Sequence, residues 1–197
     1  MSAVITKTYP APPLCEKDAL RYAGCLVEDE ATVDLLRACW LEAADAFTYK
    51  VCYGVFPLLV QEDVCAVSTF SWTSHDLAAT LAGCECAVVF AATVGVSLDR
   101  LIAKYGRVAP ARALMLQALG AERIEALCDV FCADLAREMA AGMTTRFSPG
   151  YGDLPLAAQQ EIFALLDPAR RIGLSLNGSL LMSPSKSVTA VVGIRKN

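Results

Sequence analysis

The sequence predicts an α+β fold, with helices packed on a mostly antiparallel, bent sheet. Three observations carry this expectation. Stretches of three-and-four apolar spacing mark helices. Shorter runs rich in β-branched and aromatic residues mark strands. The two kinds do not alternate regularly along the chain, as a parallel doubly wound sheet would require. Of the 197 residues, 55% are hydrophobic and 19% charged, which is opposite to the balance that keeps a chain disordered. The length suits one well-buried domain, and the organisation read is an N-terminal arm over residues 1–14 followed by one domain over 15–197.

The elements follow in order. Pro10, Pro12 and Pro13 oppose helix in the arm. A short helix is predicted over Glu16–Ala23, ended by Gly24. A second starts after Asp29 or Glu30 and runs to about Phe47, with Val33, Leu36, Trp40 and Ala44 at helical spacing. The period then changes. Phe47–Leu59 and Cys65–Trp72 read as two strands joined through the Gln61-Glu62-Asp63 turn. Ser74 is placed to cap a helix to Ala82, and Cys86–Thr93 is a continuous apolar run, read as a buried strand. After Gly95 a helix is expected over Ser97–Tyr105. The strongest periodicity lies in 108–141, where Ile124, Leu127, Phe131, Leu135 and Met139 share a face. Gly120 is a candidate interruption and Gly142 the candidate stop. Beyond the glycine-rich RFSPGYGDLP segment come a helix over Pro155–Leu166 and strands at Gly173–Leu176, Leu180–Met182 and Val188–Ile194. Asn177-Gly178 is the predicted hairpin turn.

Charge and composition exclude several classes of function. The net charge of −4 argues against a surface built to collect nucleic-acid phosphates. No window of about 20 residues is free of charges and turn residues, so no membrane span is expected. The first residues lack the features of a secretory signal. Nine scattered cysteines then read as reduced thiols used as small hydrophobes, and the expected compartment is the cytoplasm.

Most catalytic constellations fail. His75 is the one histidine, which excludes sites needing several imidazoles; it reads first as a solvated or capping residue. Cys84 and Cys86 could share a strand face, and Cys128 and Cys132 share a helix face. A metal site would need the two pairs to converge, and core packing is the stronger reading. Thr93–Ser97 leads from a strand into a helix N-terminus that could hold an anion, but it reads first as a glycine turn. No catalytic residue and no metal ligand is assigned.

Arg146–Tyr151 stands apart. An arginine can grip a carboxylate through two parallel N–H bonds, a glycine admits a ligand close to the backbone, and a tyrosine ring offers a face to a purine or a sulfonium. The segment reads first as a structural turn and second as a site for a small zwitterionic ligand.

The RxxxGY pattern at Arg146–Tyr151, the following LAAQQEIFALLDP helix and the strand pair in SLNGSLLMSPSKSVTAVVGI resemble, in that order, the activation (reactivation) domain of cobalamin-dependent methionine synthase. FAATVG and the alanine-rich helix around Ala121–Ala126 extend the likeness to roughly residues 15–194, in a stand-alone short form. The resemblance implies a module that binds S-adenosylmethionine and supports reductive methylation of a corrinoid (cobalamin) cofactor. That corrinoid would be carried by a separate corrinoid-binding protein or methyltransferase, with a flavodoxin-type electron donor. Carried over by position, Arg146 would hold the ligand's carboxylate, Ser148 would offer backbone bonds, and Gly150 and Tyr151 would line the groove. An acidic partner for the amino group is sought among Glu16, Asp18, Glu28 and Asp29. Gly152 stands where the family has proline, and the family's domain continues past its last matched strand to a further tyrosine contact. The module is thus expected to be at most the activation component of such a methyltransferase. The alternative is a non-catalytic interaction module with the same fold that has lost S-adenosylmethionine binding. The basic run after Pro168 (Arg170, Arg171, Lys186, Arg195, Lys196) suits an acidic partner surface, a solvated face being the default.

Overall fold

The computed structural model describes residues 3–25 and 29–195. The helices are α1 (Glu16–Tyr22), α2 (Glu30–Ala43) with a 3-10 turn at Ala44–Ala46, α3 (His75–Leu81), α4 (Ser97–Val108), α5 (Pro110–Met139), α6 (Ala158–Leu166) and α7 (Pro168–Ile172). The strands are β1 (Ile5–Tyr9), β2 (Tyr49–Gln61), β3 (Val64–Val67), β4 (Phe70–Thr73), β5 (Cys86–Thr93), β6 (Gly142–Met143), β7 (Ser175–Leu176), β8 (Met182–Ser183) and β9 (Ser187–Arg195). The main sheet has the order β4-β3-β2-β5-β9-β6, with β1 also on β2. Every pairing is antiparallel. The predicted α+β class is what the chain adopts.

The sheet is covered on both faces, and alternation along its central strands sorts the side chains. Val88, Phe90 and Ala92 enter a core with Leu36 of α2, Leu98 of α4 and Leu119, Leu127 and Phe131 of α5. Ala87, Val89 and Ala91 enter a second core with Leu77 of α3, Ile162 and Leu166 of α6 and Ile172 of α7. Because both faces of β5 are buried, its sequence is a continuous apolar run with no polar alternation. The same two-sidedness separates the cysteines. Cys84 packs in the α3/α6 core, while Cys86 packs beside the α5 core that holds Cys128. Cys84 and Cys86, which could have shared a strand face, therefore pack in different cores.

Residues of the N-terminal arm enter the sheet: Ile5–Tyr9 pair with Tyr49–Tyr53. Cys65–Trp72 is not one strand but two, β3 and β4, turning through Ser68 at φ 57° and pairing Val67 with Phe70. Ser74 caps α3 as predicted, accepting from Leu77 N. Gly120 does not interrupt α5. A Cβ there would meet Leu98 Cδ2 at 2.5 Å, so the glycine allows α4 and α5 to approach. The helix ends at Ala140, in the left-handed region at φ 47°, and Gly142 opens β6 instead. The helix expected from Pro155 is α6 and starts at Ala158, after a turn that begins at Pro155. Among the described residues no helix is long and apolar enough to cross a membrane.

Candidate functional site: an open groove between α5 and the sheet edge

The segment after α5 builds the groove. From β6 onward the chain runs antiparallel to β9: Thr144 N donates to Gly193 O, and Phe147 exchanges backbone bonds with Val191 at 2.9 and 2.8 Å. Strand alternation sends Phe147 into the α6 core and its neighbour Arg146 the other way, towards α5. The ladder stops at that bridge. Pro149 is buried and Gly150 takes φ 86°, so the chain turns away from β9. A groove of about 580 Å³ remains, lined by Glu125, Cys132, Thr144, Thr145, Arg146, Ser148, Tyr151 and Val188. That volume lies within the ordinary range for small-ligand sites.

Of the four residues singled out in the sequence, Arg146, Ser148 and Tyr151 converge on this groove. Tyr151 is 73% exposed, with its ring free to act as a platform. Gly150 does not line the groove; it shapes the rim, its N–H donating to Leu154 O at 2.9 Å. The Ser148 carbonyl is engaged within the turn, accepting from Tyr151 N at 3.1 Å.

Arg146 is not a lone cation. Its NH2 donates to Glu125 Oε2 at 2.8 Å and its NH1 to Asp129 Oδ1. Glu125, Asp129 and Cys132 stand at i, i+4 and i+7 of α5, which places them on one side of that helix. Desolvation works against the guanidinium charge, but the two carboxylates more than offset it and hold Arg146 above its ordinary range. Burial pushes the Cys132 thiol up, while the facing Arg146 partly opposes the shift. Cys132 is thus a poor nucleophile at neutral pH. These hydrogen bonds use two of the arginine's five donors, which leaves capacity for a further acceptor. An anionic group placed there would meet the guanidinium, and an ammonium would meet the Glu125 carboxylate, which lines the same groove. The arrangement suits a zwitterion.

Glu125 and Asp129 were not singled out in the sequence. The available signal was two carboxylates one turn apart on a helix that carries several other charges, which by itself reads as a solvated stripe. Of the acidic candidates that were named, Glu16 pairs with Arg37 and Asp29 caps α2, so both are committed elsewhere. Asp18 lines a smaller cleft of about 350 Å³ that shares Glu125 with the groove and is bordered by Asp129. Glu28, like Lys196 of the basic run, lies outside the described residues. His75 is exposed and its Nδ1 lies 2.9 Å from Asp63 Oδ1, far from any nucleophilic arrangement. The Thr93–Ser97 turn is closed by Gly95, at φ 90° against Thr48, and its N–H donates to Thr93 Oγ1. Among the described residues no group of three histidine, cysteine or acidic side chains could hold a metal ion.

No protein-family model matches the sequence, and no curated protein matches it. The fold is an α+β fold of the reactivation-domain kind. It superposes on a crystal structure of the MetH reactivation domain bound to AdoHcy with a TM-score of 0.67 and 16% sequence identity, covering 97% of this chain and 78% of that one.

Proposed function

We propose that this chain is an S-adenosylmethionine-binding module of the reactivation type, and that the groove beside Arg146 is its ligand site. One observation carries the reading: Arg146, Ser148 and Tyr151 share a single open groove with the Glu125 carboxylate, while Asp129 pairs with Arg146 from the adjoining cleft, in a fold whose solved counterpart was crystallised with AdoHcy. In this reading Arg146 takes the amino-acid carboxylate and Glu125 takes the ammonium. Tyr151 offers its ring to the adenosyl end, and Gly150 sets the rim. The corrinoid, carried by a partner methyltransferase or corrinoid-binding protein and reduced by a flavodoxin-type donor, would supply the metal that accepts the methyl group. The residues of this chain bind and orient the methyl donor. Isothermal titration with S-adenosylmethionine tests the reading. Saturable heat with the wild type and a loss of about tenfold or more in affinity for Arg146→Ala are expected. No heat from the wild type at millimolar ligand overturns it.

A second reading has its own observation. Because Arg146 already holds two carboxylates, the groove is electrostatically satisfied without a ligand, as in an interaction module that has kept the fold alone. Capture of a corrinoid protein that is indifferent to added S-adenosylmethionine, together with a flat titration, would favour it.

A further inference from the structure

The rim of the groove hangs on one side chain. Between buried Pro149 and buried Leu154 lie four exposed residues, and among them only Asp153 sends its side chain to another element. Its carboxylate accepts from Ser74 Oγ, from His75 N at 2.7 Å and from Asp76 N at 3.3 Å. All three donors belong to the cap and first turn of α3. Ser74, itself buried, also accepts from Leu77 N at 3.0 Å, so one hydroxyl joins the helix cap to the loop. The backbone beside it is fitted to the same contact. Gly152 has φ 51°, and a Cβ there would run into the Asp76 carboxylate. This accounts for the departure from the family pattern. A proline, confined to φ near −65°, could not take this conformation or lie so close to α3.

We propose that Asp153 is a positioning residue: its carboxylate latches the 148–154 loop onto the first turn of α3 and thereby fixes the wall of the groove that carries Ser148 and Tyr151. The physical basis is the free N–H groups of a helix start, which favour an anionic acceptor. Three charge-assisted bonds hold a loop that is otherwise anchored at its far end by buried Leu154 and whose other hydrogen bonds are short internal ones, Gly150 N to Leu154 O, Tyr151 N to Ser148 O and Leu154 N to Tyr151 O. Loop residues that carry a ligand site must be ordered before or during binding. A loop already latched avoids that entropic cost at the moment of binding. The ligand half of this inference rests on the function proposed above; the latch itself rests on the contacts alone.

The test has two arms. Backbone amide exchange followed by mass spectrometry reads the latch without ligand. In Asp153→Ala the peptides covering 150–154 should exchange about tenfold faster, with Asp153→Asn intermediate because it keeps one acceptor oxygen. Titration with S-adenosylmethionine, well below every melting transition so that all variants are folded, reads the positioning. Asp153→Ala should bind about tenfold more weakly, with partial recovery in Asp153→Asn. Ser74→Ala serves as the control. It removes the cap on Leu77, so α3 should exchange faster, while His75 N and Asp76 N still hold Asp153 and ligand affinity falls less than in Asp153→Ala. Unchanged exchange at 150–154 in Asp153→Ala overturns the latch. Faster exchange with wild-type affinity overturns the positioning role. If the wild type binds no S-adenosylmethionine, the functional reading and the positioning role fall together, and the exchange arm still decides whether the latch exists.

Discussion

Arg123 and Arg146 both meet carboxylates of α5, and the contrast between them organises this molecule. Arg123 is 0% exposed. It binds the Glu122 carboxylate through Nε and NH2, donates from NH1 to Pro12 O at 2.5 Å and from NH2 to Pro13 O at 2.8 Å, and stacks over Trp40 at 5.3 Å. Four of its five donors are used, and Glu122 also accepts from Cys15 N at 3.1 Å. Further along the chain, beyond the end of α5, Arg146 keeps 26% of its side chain exposed beside an open groove. The pairing chemistry is the same and the roles differ. Arg123 closes on the carbonyls of the proline segment and staples the N-terminal arm to the helix layer. Arg146 has donors to spare and a cavity in front of it. Burial and saturation, more than residue type, separate a structural arginine from one that can take a ligand.

The largest expected effect breaks the buried member. Arg123→Ala leaves Glu122 charged and enclosed and frees the Pro12 and Pro13 carbonyls, which should cost about 3–5 kcal/mol. Urea unfolding is the measurement; a loss below about 1 kcal/mol would show that the pair is not the staple described. Next comes the open member. Arg146→Ala should change stability by no more than about 1 kcal/mol, since Glu125 and Asp129 can regain water, while abolishing the ligand response. A large stability loss with intact binding would reverse the two roles.

A smaller effect concerns the thiols on the same helix. Burial raises both Cys128 and Cys132, but only Cys132 lines the groove. Mass-spectrometric mapping after iodoacetamide should therefore find Cys132 modified slowly and Cys128 not at all, with S-adenosylmethionine slowing Cys132 further. Equal labelling of the two thiols would contradict the packing. The smallest effect is acid sensitivity. Neither arginine titrates in the accessible range, so the acid side of the pH dependence comes from carboxylates. Hydrogen bonds from Lys7 and Tyr9 hold Asp134 below its usual value, and one from Ser74 does the same for Asp153. A depressed folded-state value means that this stability is present above the unfolded value near 4 and is lost as pH falls through the folded one. Denaturation midpoints should drop below about pH 4, less steeply in Asp134→Asn.

Much of the architecture was legible beforehand for local reasons. Helical spacing located α2, α4 and α5, the Ser74 cap located α3, and the apolar run of β5 matched its observed bounds because both of its faces are enclosed. The split of Cys65–Trp72 into β3 and β4 was not legible, since Ser68 in the left-handed region carries no glycine or asparagine signature. Within the site, Arg146, Ser148 and Tyr151 stood together in sequence and could be noticed. Glu125 and Asp129 lie 21 and 17 residues from their arginine, beyond the reach of any local pattern.

The sequence by itself determined most of the longer helices and the central strands, and it marked one short loop as chemically unusual, because periodicity, capping and turn chemistry are properties of neighbours along the chain. Only the tertiary structure decided that the arm enters the sheet, that one arginine is sealed and the other faces a groove, and that a loop aspartate serves a helix 70-odd positions earlier. Those outcomes depend on which faces the sheet brings opposite one another. That is settled by the joint burial of both cores, and no stretch of neighbouring residues encodes it.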